Sequence, residues 1–496
     1  MKRSILTTVS AVALMLGAPA LAQTVNLASA DHASTVSQTG NSNNADVTQR
    51  KENQTSTIEQ TGNSHTATVT QGHNYGNTSS NNTAKITQGK RADGSTAPTG
   101  SQAVVYQLTA NNSGTIEQKG RNQADIAQGT NDNLKGGFNQ ATIKQSDTNL
   151  VAGGVDINIA GIRQDGSNNI GTTEQTGDAN IALVKQTNSV GGAGNLSSLG
   201  QNGLRNVFDL EQTGNGNTLT AGQIGNDNLA DVIQLGNTNT AAVTQTGDLN
   251  EAVVKQDGNG NDATVIQNAN LNTVGDAADR SPNFPNPRGT TYQSKAVGIL
   301  QDGDNNDAYV SQGGNGSAKI DQIGDTNFAG VVQNGAGAMF SVGQTGNGNW
   351  VSNSATAKGN VTQSGASADI FVTQGGDSNK AVLEQIGDNA FVNVTQTGNG
   401  NLAATSQAPA AAGASSTIAQ GGNYNSAKVS QASFAVSGIT QSGDNHIADV
   451  TQGANSSSFV SQTGGDGNSA TVIQGASDWS SVTQIGSSNI ASVAQN

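Results

Sequence analysis

The sequence predicts an all-β chain, a β-solenoid of stacked strand–turn–strand rungs with cross-β, amyloid-like packing. Three observations predict it. Glutamine returns every eleven residues over long stretches. Within each period Asn, Ala, Val and Gln stand two apart, the spacing that places residues on one face of a strand. Each period also holds a Gly beside Asn or Asp, the residues of tight turns.

The period is read directly from the numbering. Gln38, Gln49, Gln60 and Gln71 keep it, as do Gln212, Gln223, Gln234, Gln245, Gln256 and Gln267, and Gln363, Gln374, Gln385, Gln396 and Gln407. Between glutamines the pattern is Q-x-G-x-x-N-x-A-x-V-x-Q. Gln223, Gly225, Asn228, Ala230, Val232 and Gln234 show it, and so do Gln484, Gly486, Asn489, Ala491, Val493 and Gln495. An eleven-residue repeat can also wind a right-handed coiled coil. The Gly and Asn in every period, with Thr, Val and Ile between, oppose helix and favour strand.

One half-repeat is thus one strand and one turn, and two make a rung of about 22 residues that cannot bury its apolar face alone. Stacking at about 4.8 Å solves this. The inward amides are expected to form ladders in which each layer completes the hydrogen bonding of the next, which removes the cost of burying an unpaired amide. The expected ladder residues are Gln175, Asn180, Gln186, Gln212, Gln223, Asn228, Gln234, Asn239, Gln245, Asn250, Gln256, Asn261, Gln267, Gln374, Asn379, Gln385, Gln396, Gln484, Asn489 and Gln495. The expected turn glycines are Gly40, Gly62, Gly177, Gly225, Gly236, Gly247, Gly258, Gly376, Gly398 and Gly486. Alternate residues such as Asp231, Glu251 and Lys255 are expected to face water.

Composition agrees with a repetitive chain. Of 496 residues, 33% are apolar and 3% aromatic, too few for several conventional cores. Residues 1–22 read as a signal peptide: Lys2 and Arg3 are the basic start, Ile5 to Gly17 is mostly apolar, and Ala20-Leu21-Ala22 suits cleavage between Ala22 and Gln23. Its removal takes Lys plus Arg from 22 to 20 against 36 Asp plus Glu, so the net charge becomes 20 − 36 = −16. A chain this acidic suits neither nucleic acid nor an anionic membrane, and no later apolar run would insert into a bilayer. With no cysteine, disulfides and thiolate metal sites are excluded, and no cofactor is expected.

After a short segment, 23–34, one repeat array runs over 35–267 with irregular loops near 72–104 and 187–200. A loop or linker holding Pro282, Pro285 and Pro287 covers 268–294. A second array covers 295–496 with a loop near 407–417 around Pro409. Proline cannot donate to a ladder, so Pro98 and these prolines mark loops. These breaks read as loops bulging from one continuous solenoid; the alternative is a set of separate short solenoids joined by linkers, for which residues 268–294 are the best candidate boundary.

The spacing Q-x-G-x-x-N-x-A-x-x-x-Q resembles the curlin repeat. It is carried by Gln175-Gly177-Asn180-Ala182-Gln186, Gln322-Gly324-Asn327-Ala329-Gln333 and Gln374-Gly376-Asn379-Ala381-Gln385, among many others. The resemblance implies a secreted subunit of extracellular curli-like fibres at the outer surface of a Gram-negative-type bacterium, supporting adhesion and biofilm matrix. It implies self-assembly, partnership with other curlin-like subunits or a nucleator, and export through an outer-membrane pore. Curlin subunits are usually much shorter, and the Gly-rich segment that precedes their repeats is missing here. The last half-repeat, Gly486 to Gln495, fits the pattern, so an open strand edge is expected there.

Other functions fit less well. A solenoid enzyme needs acids or bases gathered on one face, whereas His32, His65, His73 and His446 are scattered and read as ordinary exposed side chains. Gly464-Gly465-Asp466-Gly467 and Gly375-Gly376-Asp377 look like fragments of calcium-binding repeats but do not recur every nine residues. A monomeric adhesin or ice-binding rod would use outward Thr such as Thr244 and Thr395, yet the regular T-x-T array is mostly missing. Trp350 and Trp479 read as incidental surface aromatics rather than carbohydrate platforms.

Overall fold

A computed structural model describes residues 24–27, 32–50, 52–72, 81–89, 100–129, 137–147, 157–280, 294–408 and 411–495. The segment 1–22, the Ala22–Gln23 pair and all the prolines named above lie outside them. The described residues form strands and turns without a helix. They fall into two compact units, Met1–Asn239 and Thr240–Asn496.

In the first unit the chain alternates between two parallel sheets. One holds Asn44–Gln49, Thr66–Gln71 and Gln102–Gln107, and further strands up to Leu229–Leu235. The other holds Ala33–Thr39, Thr55–Thr61 and Thr83–Gly89, and further strands up to Thr218–Ile224. Register is set by the repeat: Val69 pairs with Val47 on one side and Val105 on the other, and Ile86 with Ile58 and Ile116. A one-residue slip would turn every inward residue outward, so the period fixes the pairing. The second unit repeats this plan, as in the series Ala381, Ala403, Ala427, Ala448 and Ala470.

The core between the sheets is thin. Ala and Val or Ile fill it, with Val47, Ile58, Val243 and Val394 fully buried. Its tightness shows at Gly114, which takes the Ala position: an added Cβ would sit 2.9 Å from Val105 of the opposite sheet. Each unit is therefore a β-solenoid, stabilised by lateral stacking.

Turns use two left-handed positions. All ten predicted turn glycines have positive φ, for example 107° at Gly247 and 95° at Gly376. A Cβ on Gly214 would run into the carbonyl of Gly236 one rung away, so glycine is required for close stacking as well as for φ. The second left-handed position is held by non-glycine residues, including Leu249 (φ 60°) and Tyr424 (φ 56°). A left-handed non-glycine residue costs about 1 kcal/mol or more. Stacking offsets it, since Tyr424 donates its N–H to Asn399 O at 2.9 Å.

Several breaks differ from expectation. Within 72–104, Thr83–Gly89 is a full rung strand, because Ala84, Ile86 and Gln88 keep the inward spacing. The loop expected over 187–200 already yields to strand at Leu196. The break at 268–294 does not separate solenoids. Thr273 and Val274 pair with Glu251 and Ala252, the chain leaves through an antiparallel pairing of Gly275–Arg280 with Ser294–Val297, and Ile299–Asp302 then completes the same rung strand. Either side of it, Asp262–Gln267 pairs directly with Asp307–Gln312. A second excursion of this kind splits Trp350–Ser352 from Val361–Gln363, both of which pair with Phe328–Gln333.

Candidate assembly site

Among the described residues each rung strand from Ala33–Thr39 to Ile490–Gln495 carries a glutamine near its end, apart from the split-strand pieces Thr273–Arg280, Ser294–Val297 and Trp350–Ser352, and in each unit these side chains form two columns between the sheets. In the first unit Gln175 Nε2 donates to Gln201 Oε1 at 2.8 Å and Gln201 to Gln223 at 2.7 Å. In the facing column Gln186 donates to Gln212 at 2.9 Å and Gln212 to Gln234 at 2.7 Å. In the second unit Gln245 donates to Gln267 at 2.9 Å and Gln256 to Gln301 at 2.9 Å, across the long excursion. Gln374 donates to Gln396 at 2.8 Å, Gln385 to Gln407 at 3.2 Å, Gln462 to Gln484 at 2.8 Å and Gln474 to Gln495 at 3.1 Å. The second Nε2 hydrogen crosses to a carbonyl at the start of a strand in the other sheet, as from Gln234 to Thr218 O at 3.1 Å. The amides thus bond along the stack and tie the two sheets together.

A second kind of column lines the corners and runs the opposite way. Asn180 accepts the backbone N–H of Asn206 at 3.0 Å, and Asn206 that of Asn228 at 3.1 Å. Asn239 donates its N–H to Asn217 at 3.0 Å. Asn250 accepts from Asn272 at 3.1 Å, Asn261 from Asn306 at 2.9 Å, Asn379 from Asn401 at 3.1 Å, and Asn468 from Asn489 at 2.9 Å. Glutamine columns donate toward higher residue numbers and asparagine columns toward lower ones.

Asn489 is exposed and Gln495 half-buried, because among the described residues Ile490–Gln495 pairs on one side only, with Ser469–Gln474. Trp479–Ile485 likewise pairs only with Ser457–Thr463. Trp479, Ile485 and Ile490 are 64%, 76% and 85% exposed.

Three residues depart from their expected surroundings. Glu251 is buried, because the returning excursion crosses its strand, with Gly298 donating to Val253 O at 3.0 Å. His65 and His446 are buried in the asparagine column. His446 takes Asn425 Oδ1 with its N–H at 2.9 Å, while its Nδ1 accepts the N–H of Asn468 at 3.2 Å. His65 Nδ1 accepts from Ser101 N–H at 3.1 Å, and His32 Nδ1 from Gln54 N–H at 3.3 Å. Both buried histidines stand five residues after a glutamine, Gln60 and Gln441, and that spacing could have revealed them. His73 lies outside the described residues.

The glycine-aspartate fragments are corner turns. Asp377 Oδ1 accepts the N–H of Asn347 at 2.8 Å, and Asp466 Oδ1 that of Asp444 at 3.3 Å. Trp350 carries Lys380 over its ring at 4.6 Å.

The outer faces stack like charges in places. Asp209 pairs in register with Asp231, and burial, aided by Asp231 and Glu211, pushes its carboxyl up to about 7. Lys185 and Glu211, in register at 2.6 Å, are a compensating pair. Asp262 and Asp307 also share a register, and burial raises both above the usual range.

Four segments, residues 225–258, 236–268, 317–346 and 365–398, match the curlin associated repeat. No curated protein matches the chain. The strands outside the matched segments hold the same glutamine register. The chain thus carries curlin associated repeats.

Proposed function

We propose that this protein is a structural subunit of an extracellular, curli-like amyloid fibre that serves adhesion and biofilm matrix, and that it is not an enzyme. The observation that carries the reading is the pair of glutamine columns in each unit, where every layer bonds to the next through identical side chains as in a cross-β stack. A parallel stack of this kind adds further strands by pairing at an exposed edge. The leader-like residues 1–22 fit export, and an outer-membrane pore and a nucleator or sister subunits would be its partners.

Purified protein incubated at neutral pH is expected to form fibres that bind amyloid dyes and diffract at the cross-β spacing of about 4.8 Å. A dye-negative monomer under all conditions would favour a surface-binding rod instead. The acidic outer faces should slow association, so assembly is expected to accelerate from low salt to about 0.15 M, where the Debye length falls to about 8 Å. A rate independent of ionic strength removes the charge argument.

A further inference from the structure

We propose that this protein pairs side by side with a second copy of itself, through the outer face that one sheet of the second unit presents from Met339–Thr345 to Trp479–Ile485. The pairing stands apart from the fibre reading, because it uses a sheet face and no strand edge.

Charge singles this face out. Seven strands in register build it, and Asp369 is the one charged side chain at their outward positions. Earlier strands of the same sheet carry Lys255, Asp257, Lys319 and Asp321 outward. On the opposite sheet Lys380, Glu384, Lys428 and Asp449 point outward. That sheet also carries the excursion over 353–360, which sets Lys358 5.3 Å above the ring of Phe328. In so acidic a chain, charged faces of two copies repel each other. Among the described faces of the second unit, the one from Met339 to Ile485 can meet its own copy without that repulsion.

Its shape suits self-pairing. Met339, Phe391, Val436 and Trp479 share one register position and stand on every second rung, with Asp369, Ser415 and Ser457 between them. The large residues thus recur at about 9.6 Å and leave gaps that those of a copy shifted by one rung can fill. Phe371 and Phe391 meet with ring centroids 5.9 Å apart. The Phe459 ring leans over Gly438, where an added Cβ would come within 3.0 Å of it, so the face stays flat. Exposed aromatics with charge depleted at the centre are the marks of a protein interface. Seven strands of seven residues span about 34 Å by about 23 Å, so pairing buries roughly 1,500 Å² in total, the size of a stable protein contact. In a two-fold contact the centre of the face meets its own copy, and Thr417 stands at that centre.

Crosslinking and sedimentation of the full chain test this. The sequence has no cysteine, so a single engineered thiol reports cleanly. Thr417→Cys, treated with a bismaleimide of about 10 Å reach, the spacing of packed sheets, should give a covalent dimer in solution or in fibres. Thr451→Cys, exposed on the opposite sheet, should give none. Three further strands of its sheet stack beyond Thr417 on the high-numbered side, so copies that meet only at strand edges hold these thiols out of the reagent's reach. In sedimentation, Phe459→Glu should raise the dimer dissociation constant at least about 10-fold. Ile473→Glu adds the same charge at a similarly exposed site on the opposite sheet and should leave that constant within about 2-fold. Both side chains point outward, so unchanged thermal unfolding will show the solenoid intact in each variant. A chain that stays monomeric, a dimer from Thr451→Cys but not from Thr417→Cys, or equal weakening by both glutamates overturns the proposal. So does a monomer that binds a neutral polysaccharide through this face. A dimer that never grows into fibres would instead remove the fibre reading and leave the pairing standing.

Discussion

In the middle of the second unit one corner is built on asparagine and the other, from Ala338 to Ala435, on alanine. At the first, Asn401 sends Nδ2 to Gly422 O at 2.8 Å, and its Oδ1 takes the N–H of Asn425 at 2.9 Å. At the second, Ala338, Ala368, Ala390, Ala414 and Ala435 occupy the same buried position and have no side-chain polar group. There the glutamine before the turn reaches further: Gln363 Nε2 approaches Ala368 O at 2.7 Å and Gln431 Nε2 approaches Ala435 O at 3.1 Å. The glutamine is kept at both corners, whereas the second corner begins on Asn250 and Asn272 and passes to alanine from Ala338 to Ala435. The glutamine column is therefore the invariant part of the design, and the corner residue is an adjustable one.

The contrast breaks most sharply at a glutamine. Gln396→Ala strands the Gln374 donor, the Gln420 acceptor and the carbonyl of Lys380. Three orphaned partners in a buried site should cost about 3 kcal/mol or more. Amide hydrogen exchange in the strands on either side should rise accordingly, and an unchanged rate would show the column to be dispensable. Asn401→Ala should cost less, about 1–2 kcal/mol, because it converts one corner toward the alanine type. A loss equal to that of the glutamine variant would erase the distinction between the columns.

Two outer and corner groups should give pH effects of opposite sign. Burial lowers the pKa of His65, so the folded state keeps it neutral while the unfolded state takes up a proton below about 6.5. That contribution is present above the unfolded pKa and is lost as pH falls from there through the lowered folded pKa, where the protonated ring can no longer accept the Ser101 N–H. His65→Asn should remove the acid-induced loosening near that rung. Asp209 behaves inversely: its folded pKa of about 7 lies above the unfolded value of 3.8, so its favourable contribution is complete below 3.8 and lost as pH rises through about 7. Asp209→Asn should stabilise its rungs most at pH 8, less at pH 5, and change little below pH 3.8, as read by thermal unfolding at each pH. The smallest effect is expected at outward Thr395, where Thr395→Ala should stay within about 0.5 kcal/mol.

The glutamine columns were legible in the sequence because a side chain that must meet its own copy has to recur at constant spacing. Corner substitutions hid better. Ala368 and His446 differ from asparagine in shape and in polar groups, and only their distance from Gln363 and Gln441 marks their role. The mid-strand excursions were harder still. Trp350-Val351-Ser352 is half a strand whose glutamine, Gln363, arrives after the chain has left and returned. The interval from Gln344 to Gln363 exceeds eleven residues, and that was the one visible trace. The burial of Glu251 could not be read at all, because what covers it comes from a distant part of the chain.

The central claim is that glutamine side chains are enclosed and bonded to one another along each stack. Hydrogen exchange of the side-chain amides, followed in protein labelled with nitrogen-15 only at glutamine, tests it without requiring fibres. Most of these amides should resist exchange as long as the strand backbone does. Exchange of the whole set at the rate of free glutamine would contradict the account.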